Sequence, residues 1–265
     1  MYAFDYRRPH SVNEVDLALK AMPGAKLLAG GQTLIPTMKQ RLAQPENVID
    51  LGGIEELRKI SVSRSELVIG AMATHASVAE SADVKSVLPS LAALAEGIGD
   101  PHVRNRGTIG GSLANNDPAA DYPAAVLALG ATIHTSKREI AADAFFDGLF
   151  TTTLEEGEVI TRISFPVPAK FAYAKFANPA SRYALVGVAV AQRGSDVRVA
   201  VTGAGQGGVF RVPEMEAALK GNFAANALNG ITVDAANLSS DIHADADYRA
   251  HLIGVMAKRA VTALA

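Results

Sequence analysis

Two glycine pairs set eighty positions apart, Gly30-Gly31 and Gly110-Gly111, constrain this 265-residue chain more than any other feature. They sit in Leu28-Ala29-Gly30-Gly31-Gln32-Thr33 and in Thr108-Ile109-Gly110-Gly111-Ser112. Each follows apolar residues and precedes a helix-like run. A residue without Cβ reaches positive φ at no steric cost, and a pair of them turns consecutive N–H groups toward an anion. Two such loops suit both phosphates of a dinucleotide without a Rossmann unit. Either loop alone is an ordinary tight turn. Their pairing, the flanking hydroxyls and the helix N-terminus after the first point to a pyrophosphate.

Around the first pair the pattern reads as a strand over 26–29, a helix over 33–42 and a strand over 48–51, closed by Gly52-Gly53. A strand over 66–72 leads to a helix capped by Thr74, and a second helix over 89–98 has Pro89 at its start. A charged loop over 100–107 delivers the second pair. A helix over 121–129 and strands over 131–135 and 159–165 follow, the last stopped by Pro166 and Pro168.

Beyond this point the pattern changes. Strands are expected over 171–176, 185–192 and 197–202, the last two joined as a hairpin through Arg193-Gly194-Ser195-Asp196. Helices over 213–219 and 248–265 complete an α+β region. Gly203, Gly205 and Gly208 spell G-x-G-x-x-G, but Val209-Phe210-Arg211-Val212 separate the last glycine from the helix expected at Pro213. No second parallel unit with a ribose-binding acid follows, so these glycines read as a turn.

Composition narrows the function classes. The net charge of −2 has no basic block behind it, and tryptophan is absent, which argues against a nucleic-acid partner. With no cysteine, the chain alone holds no disulfide and no iron–sulfur cluster. The start lacks a secretory core, and the longest apolar run, over 124–131, is far short of the ~20 residues of a membrane span. A cytoplasmic protein with at most peripheral membrane association is expected. The six histidines show no metal-site spacing, and no nucleophile elbow or P-loop occurs. Neither a catalytic residue nor a metal site is expected. His102, before the second pair, reads as a surface residue. In Asn115-Asn116-Asp117-Pro118-Ala119-Ala120-Asp121, Asp117 reads as turn chemistry, and Asp121 as either a helix cap or an acceptor for ligand hydroxyls.

These motifs resemble the FAD-binding medium subunit of molybdenum hydroxylases, of the carbon monoxide dehydrogenase and xanthine dehydrogenase family. The resemblance runs over essentially the whole chain. It starts at Phe4-Asp5-Tyr6-Arg7-Arg8-Pro9 and includes both glycine motifs, Asp100-Pro101-His102-Val103-Arg104-Asn105-Arg106-Gly107 and Met256-Ala257-Lys258-Arg259-Ala260. It implies an α+β protein with a two-subdomain FAD-binding fold of the PCMH or vanillyl-alcohol-oxidase type, and a C-terminal α+β domain with an antiparallel sheet. The expected divisions are 1–53, 54–167 and 168–265.

Carried over by motif position, Ala29, Gly30, Gly31, Gln32 and Thr33 would wrap the pyrophosphate with backbone amides, together with Thr108, Ile109, Gly110, Gly111 and Ser112. Leu34 and Ile35 would extend the first loop, and Ala114 and Asp121 would line the cofactor. Ile160 would pack near the flavin, and Lys175 would approach its polar edge as a cation. Ser112 stands where the family commonly has asparagine. The resemblance implies an electron-transfer subunit whose partners are an iron–sulfur small subunit with two [2Fe-2S] clusters and a molybdenum-cofactor large subunit, in a dimer of heterotrimers. Two alternatives stay open: a stand-alone flavin oxidoreductase of the same fold, and an assembly subunit without cofactor.

Overall fold

The computed structural model describes residues 1–63, 65–168 and 170–264. It is α+β and contains three sheets taken in chain order. The first is parallel: β1 (Asp5–Arg7), β2 (Lys26–Leu28) and β3 (Asn47–Asp50), in the order β1-β3-β2. Parallel neighbours need crossovers, which α1 (Val12–Ala21) and α2 (Leu34–Lys39) supply. Ser11 starts α1 by accepting from the Glu14 amide. The sequence pattern predicts neither β1 nor α1.

The second sheet is antiparallel in the order β4-β5-β8-β6-β7. Its strands are β4 (Ile60–Val62), β5 (Glu66–Gly70), β6 (Thr132–Thr135), β7 (Glu139–Ala141) and β8 (Ile160–Pro166). Between β5 and β6 run α3 (His75–Glu80), α4 (Ala82–Val87), α5 (Pro89–Glu96), α6 (Pro101–Arg104), α7 (Ile109–Asn115) and α8 (Tyr122–Leu129). Thr74 caps α3 as expected, accepting from the Ser77 amide. The expected charged loop over 100–107 contains a full turn instead. Asp100 accepts from the Val103 amide, and Pro101 stands where its missing N–H does no harm.

The third sheet, β12-β11-β10-β9, is an antiparallel meander of β9 (Lys170–Ala177), β10 (Ala184–Arg193), β11 (Asp196–Thr202) and β12 (Phe210–Arg211). Arg193 pairs with Asp196, which is the expected hairpin, and Gly194 takes the turn at φ +58°. Gly203, Gly205 and Gly208 make the turn into β12, and α9 (Pro213–Gly221) starts at Pro213. α10 (Ala246–Thr262) closes the chain; the last residue of the expected helix, Ala265, lies outside the described residues.

Both faces of this sheet are buried, and the period-2 pattern sorts residue size between them. Val186, Val188, Val190, Val199 and Val201 face a core shared with Leu252, Ile253 and Met256 of α10. Ala189, Ala191 and Ala200 face the other way, toward α8 and the second sheet. Small residues there let α8 approach closely. Every residue of α8 is buried, as expected of a helix apolar all round. The 117–121 segment before α8 is therefore held from the third sheet. Thr202 Oγ1 donates to the carbonyls of Pro118 (3.0 Å) and Ala120 (2.6 Å), and the Gly203 amide donates to Pro118 (2.7 Å). Among the described residues no helix is long and apolar enough to cross a membrane.

Candidate functional site

A cleft of about 660 Å³ opens between the first sheet, the second sheet and the rim of the third. That volume is within the ~300–1,000 Å³ usual for ligand sites. Ala29, Gly30, Gly31, Gln32, Thr33 and Leu34 line one side. Thr108, Gly110, Gly111, Ser112, Ala114, Asp121 and Ile160 line the other.

The first glycine motif meets the segment that leads into the second backbone to backbone. Only Gly31 has positive φ, at +74°. Gly30 is required by proximity, since a Cβ there would overlap the Arg106 carbonyl oxygen and lie 2.7 Å from the Gly107 Cα. Gly110 is likewise pressed on Ala71, whose Cβ would stand 2.6 Å from an added methyl. The expectation of positive φ at both pairs is thus corrected. Three of the four glycines have ordinary φ, and at Gly30 and Gly110 it is close packing that excludes a side chain.

The amides divide just as unevenly. Among the described residues no group accepts from the amides of Gly30, Gly31, Gln32, Thr33 or Leu34. In the second motif the Ile109 amide donates to Ala73 (3.1 Å), Gly110 to Ala71 (2.9 Å) and Ser112 to Thr108 (3.0 Å). Gly111 donates to Thr108 Oγ1 at 3.1 Å, capping α7. Amides 109–112 are therefore occupied within the fold. The unoccupied donors belong to the first loop. The second motif brings the Ser112 hydroxyl and a surface without side chains.

Three expected residues stand behind the cleft wall. Ile109 is fully buried in the core. Ile35 packs its Cδ1 beneath Gly31. Lys175 spends its ammonium on the Gly97 carbonyl (2.9 Å), the Arg182 carbonyl (3.0 Å) and Asp121 (3.1 Å). It acts as a strut between the rim and α8. Asp121 precedes α8, yet its carboxylate caps nothing. It accepts from Lys175 and, at 2.5 Å, from the Tyr173 hydroxyl. Burial pushes this carboxyl up, opposed by Lys175 and Tyr173. Asp117 makes the expected turn, accepting from the Ala119 amide. His102 is exposed.

Several cleft residues had no signature in the sequence. His75 lines the wall, and burial, reinforced by the Arg104 charge, lowers its imidazole to about 4, so it is neutral at neutral pH. Its ring stands 5.3 Å from that of Tyr122. Arg182 and Tyr183 form the rim, Tyr183 being 53% exposed. Glu158 also contributes to the wall, but Arg138, Thr135 and the Glu155 amide occupy its oxygens. Burial alone would raise the Glu158 carboxyl; those hydrogen bonds outweigh it and hold it at about 2, against an ordinary 4.5. A depressed carboxyl stabilises the fold above its unfolded pKa and loses that contribution as pH falls through the folded one. The thermal midpoint should fall between pH 4.5 and 2, and Arg138→Met should flatten that limb and lower the plateau above it.

The donor set fits FAD. Five free amides and the Thr33 and Ser112 hydroxyls suit a diphosphate, while Leu27, Leu51, Met72, Ile98, Val103 and Val159 offer apolar walls to flat rings.

Comparison with known proteins agrees. A family model described as "FAD binding domain in molybdopterin dehydrogenase" matches residues 2–168, and "CO dehydrogenase flavoprotein C-terminal domain" matches 171–264. The carbon monoxide dehydrogenase medium chain of Hydrogenophaga pseudoflava is 39% identical over 278 residues, 98% of this chain and 96% of that one. The nicotine 6-hydroxylase medium subunit of Paenarthrobacter nicotinovorans is 37% identical over 273 residues, with the same coverage. Reconstituted CO dehydrogenase from Oligotropha carboxidovorans matches with a TM-score of 0.90 at 34% identity, over 100% of this chain and 99% of that one. The cleft, the two glycine motifs and these matches agree: the chain belongs to the family of FAD-binding medium subunits of molybdenum hydroxylases, the flavoprotein oxidoreductase components of enzymes such as carbon monoxide dehydrogenase.

Proposed function

We propose that this chain binds one FAD across the cleft, receives electrons from iron–sulfur clusters on a small partner subunit and passes them to an external acceptor. A large partner would hold the molybdenum cofactor, and the assembly would be a dimer of heterotrimers. The observation that carries this reading is the run of five consecutive free amides at 30–34, facing the 108–112 motif in one cleft. A diphosphate placed there accepts from N–H groups that no group among the described residues occupies. Gln32, Thr33, Ser112, Ala114 and Ile160 would complete the contacts, and Lys175 would serve through Asp121 and the rim carbonyls.

FAD, when bound, supplies the two-electron to one-electron chemistry that amino-acid side chains lack. This chain's part is to orient the cofactor, offer apolar walls to its rings and hold the Asp121 carboxyl beside it. Having no cysteine, it depends on its partners for clusters.

The test is a titration of the purified chain with FAD, followed by flavin absorbance and fluorescence, beside Gly31→Asp and Gly111→Asp. We expect binding near one-to-one in the wild type, lost in Gly31→Asp, where a carboxylate would face the amides, and strongly reduced in Gly111→Asp. A wild type that binds no FAD, alone or in its native complex, leaves a scaffold subunit as the reading.

A further inference from the structure

We propose that Tyr173 is a positioning residue of the FAD site, holding the Asp121 carboxylate oriented against the cleft; this rests on the FAD reading above. Asp121 is 4% exposed and stands one residue before α8, where an acid usually caps the helix, but it gives no cap bond. Its oxygens turn instead across the junction to β9, where Tyr173 and Lys175, two positions apart, project from the same face.

The third sheet is shaped for the tyrosine hydroxyl. Gly187 on the neighbouring strand β10 lies so close that a Cβ would overlap that oxygen. Thr202 and Gly203 meanwhile hold the carbonyls of Pro118 and Ala120, so the loop carrying Asp121 is fixed at its backbone and at its side chain. The two β9 groups divide the work. Lys175 also ties Gly97 and Arg182 to the rim, whereas among the described residues the Tyr173 hydroxyl serves Asp121 alone. Removing it therefore changes the carboxylate and leaves the rim in place.

The groups around Asp121 are Tyr173 and Lys175 from β9, Tyr122 from α8 and Tyr183 from the rim, which Asp117 of the same loop also faces. Lys175 is the single cation among them. With the Tyr173 hydroxyl gone, the carboxylate loses a charge-assisted hydrogen bond and protonates at higher pH.

The experiment is the dissociation constant of FAD from the full chain, by flavin fluorescence between pH 5 and 9, for wild type, Tyr173→Phe, Asp121→Asn and the double variant. Tyr173→Phe should weaken binding about ten-fold at neutral pH, the loss of one hydrogen bond to a charged group, and displace the inflection of the pH profile upward. On the Asp121→Asn background the same change should cost less than about two-fold. Gly187→Ala, which keeps the hydroxyl but displaces it, should move the profile in the same direction. A Tyr173→Phe profile superimposed on wild type overturns the proposal, as does an equal loss on both backgrounds, which would make Tyr173 a packing residue. A wild type that binds no FAD overturns the FAD reading itself, and this proposal with it.

Discussion

Gly30→Ala should abolish FAD binding at micromolar cofactor and lower the melting temperature by several degrees. The added methyl would overlap the Arg106 carbonyl oxygen and stand 2.7 Å from the Gly107 Cα and 2.8 Å from the Arg106 carbonyl carbon. All three are backbone atoms, so no rotamer change relieves the contact, and the loops must part. Overpacking of this kind costs about 1–3 kcal/mol, and in a chain of this size each kcal/mol moves the midpoint by about 2–4 °C. The cofactor pays more, because separation of the loops turns the free amides at 30–34 away from the wall they face. An affinity loss of about 100-fold or more is expected from misplacing several charge-assisted hydrogen bonds at once. Gly254→Ala is the control. It lies within α10 with nothing within 4 Å of the added methyl, so it should raise stability by about 1 kcal/mol and leave FAD binding unchanged. Calorimetry and flavin titration of both variants separate a cleft effect from a general cost of removing glycine.

The parts of this fold that were legible in the sequence are those with local causes. Thr74 before a helical run, the two-residue turn at Gly194-Ser195 and Pro213 at the start of α9 each leave a short signature that the structure repeats. The third sheet was legible because alternation of valine with alanine is itself the record of two buried faces. β1 was not, since its three residues are all exposed and it exists only through pairing with β3 some forty residues away. In the site, the glycine pairs announced the loops but not their division of labour. Whether an amide is free depends on which carbonyl lies opposite, and Ala71 and Ala73 carry no mark that they will accept from Gly110 and Ile109. Lys175 shows the same limit. The family resemblance implies a cation at the flavin's polar edge, whereas its pairing with Asp121, 54 residues earlier, exists only once β9 and α8 are packed together.

Lys175→Met should destabilise the chain by about 3–5 kcal/mol at neutral pH, the usual cost of removing one partner of a buried ion pair. Side-chain exposure is 12% for Lys175 and 5% for Asp121, so solvent replaces little of what is lost. The pH dependence identifies the mechanism. Burial already pushes the Asp121 carboxyl above 3.8, and the Lys175 charge is the leading opposing influence. Without it the folded-state pKa rises further. Between 3.8 and that raised value the folded state keeps a proton that the unfolded chain has lost, so stability falls as pH rises. The stability difference between wild type and Lys175→Met should therefore be small near pH 4 and grow toward neutrality. Urea midpoints at several pH values measure it directly. Adding Asp121→Asn should remove the pH dependence of that difference, since a neutral amide has no charge to strand. A deficit equal at every pH would locate the effect in the freed Gly97 and Arg182 carbonyls, and so in the rim of the cleft.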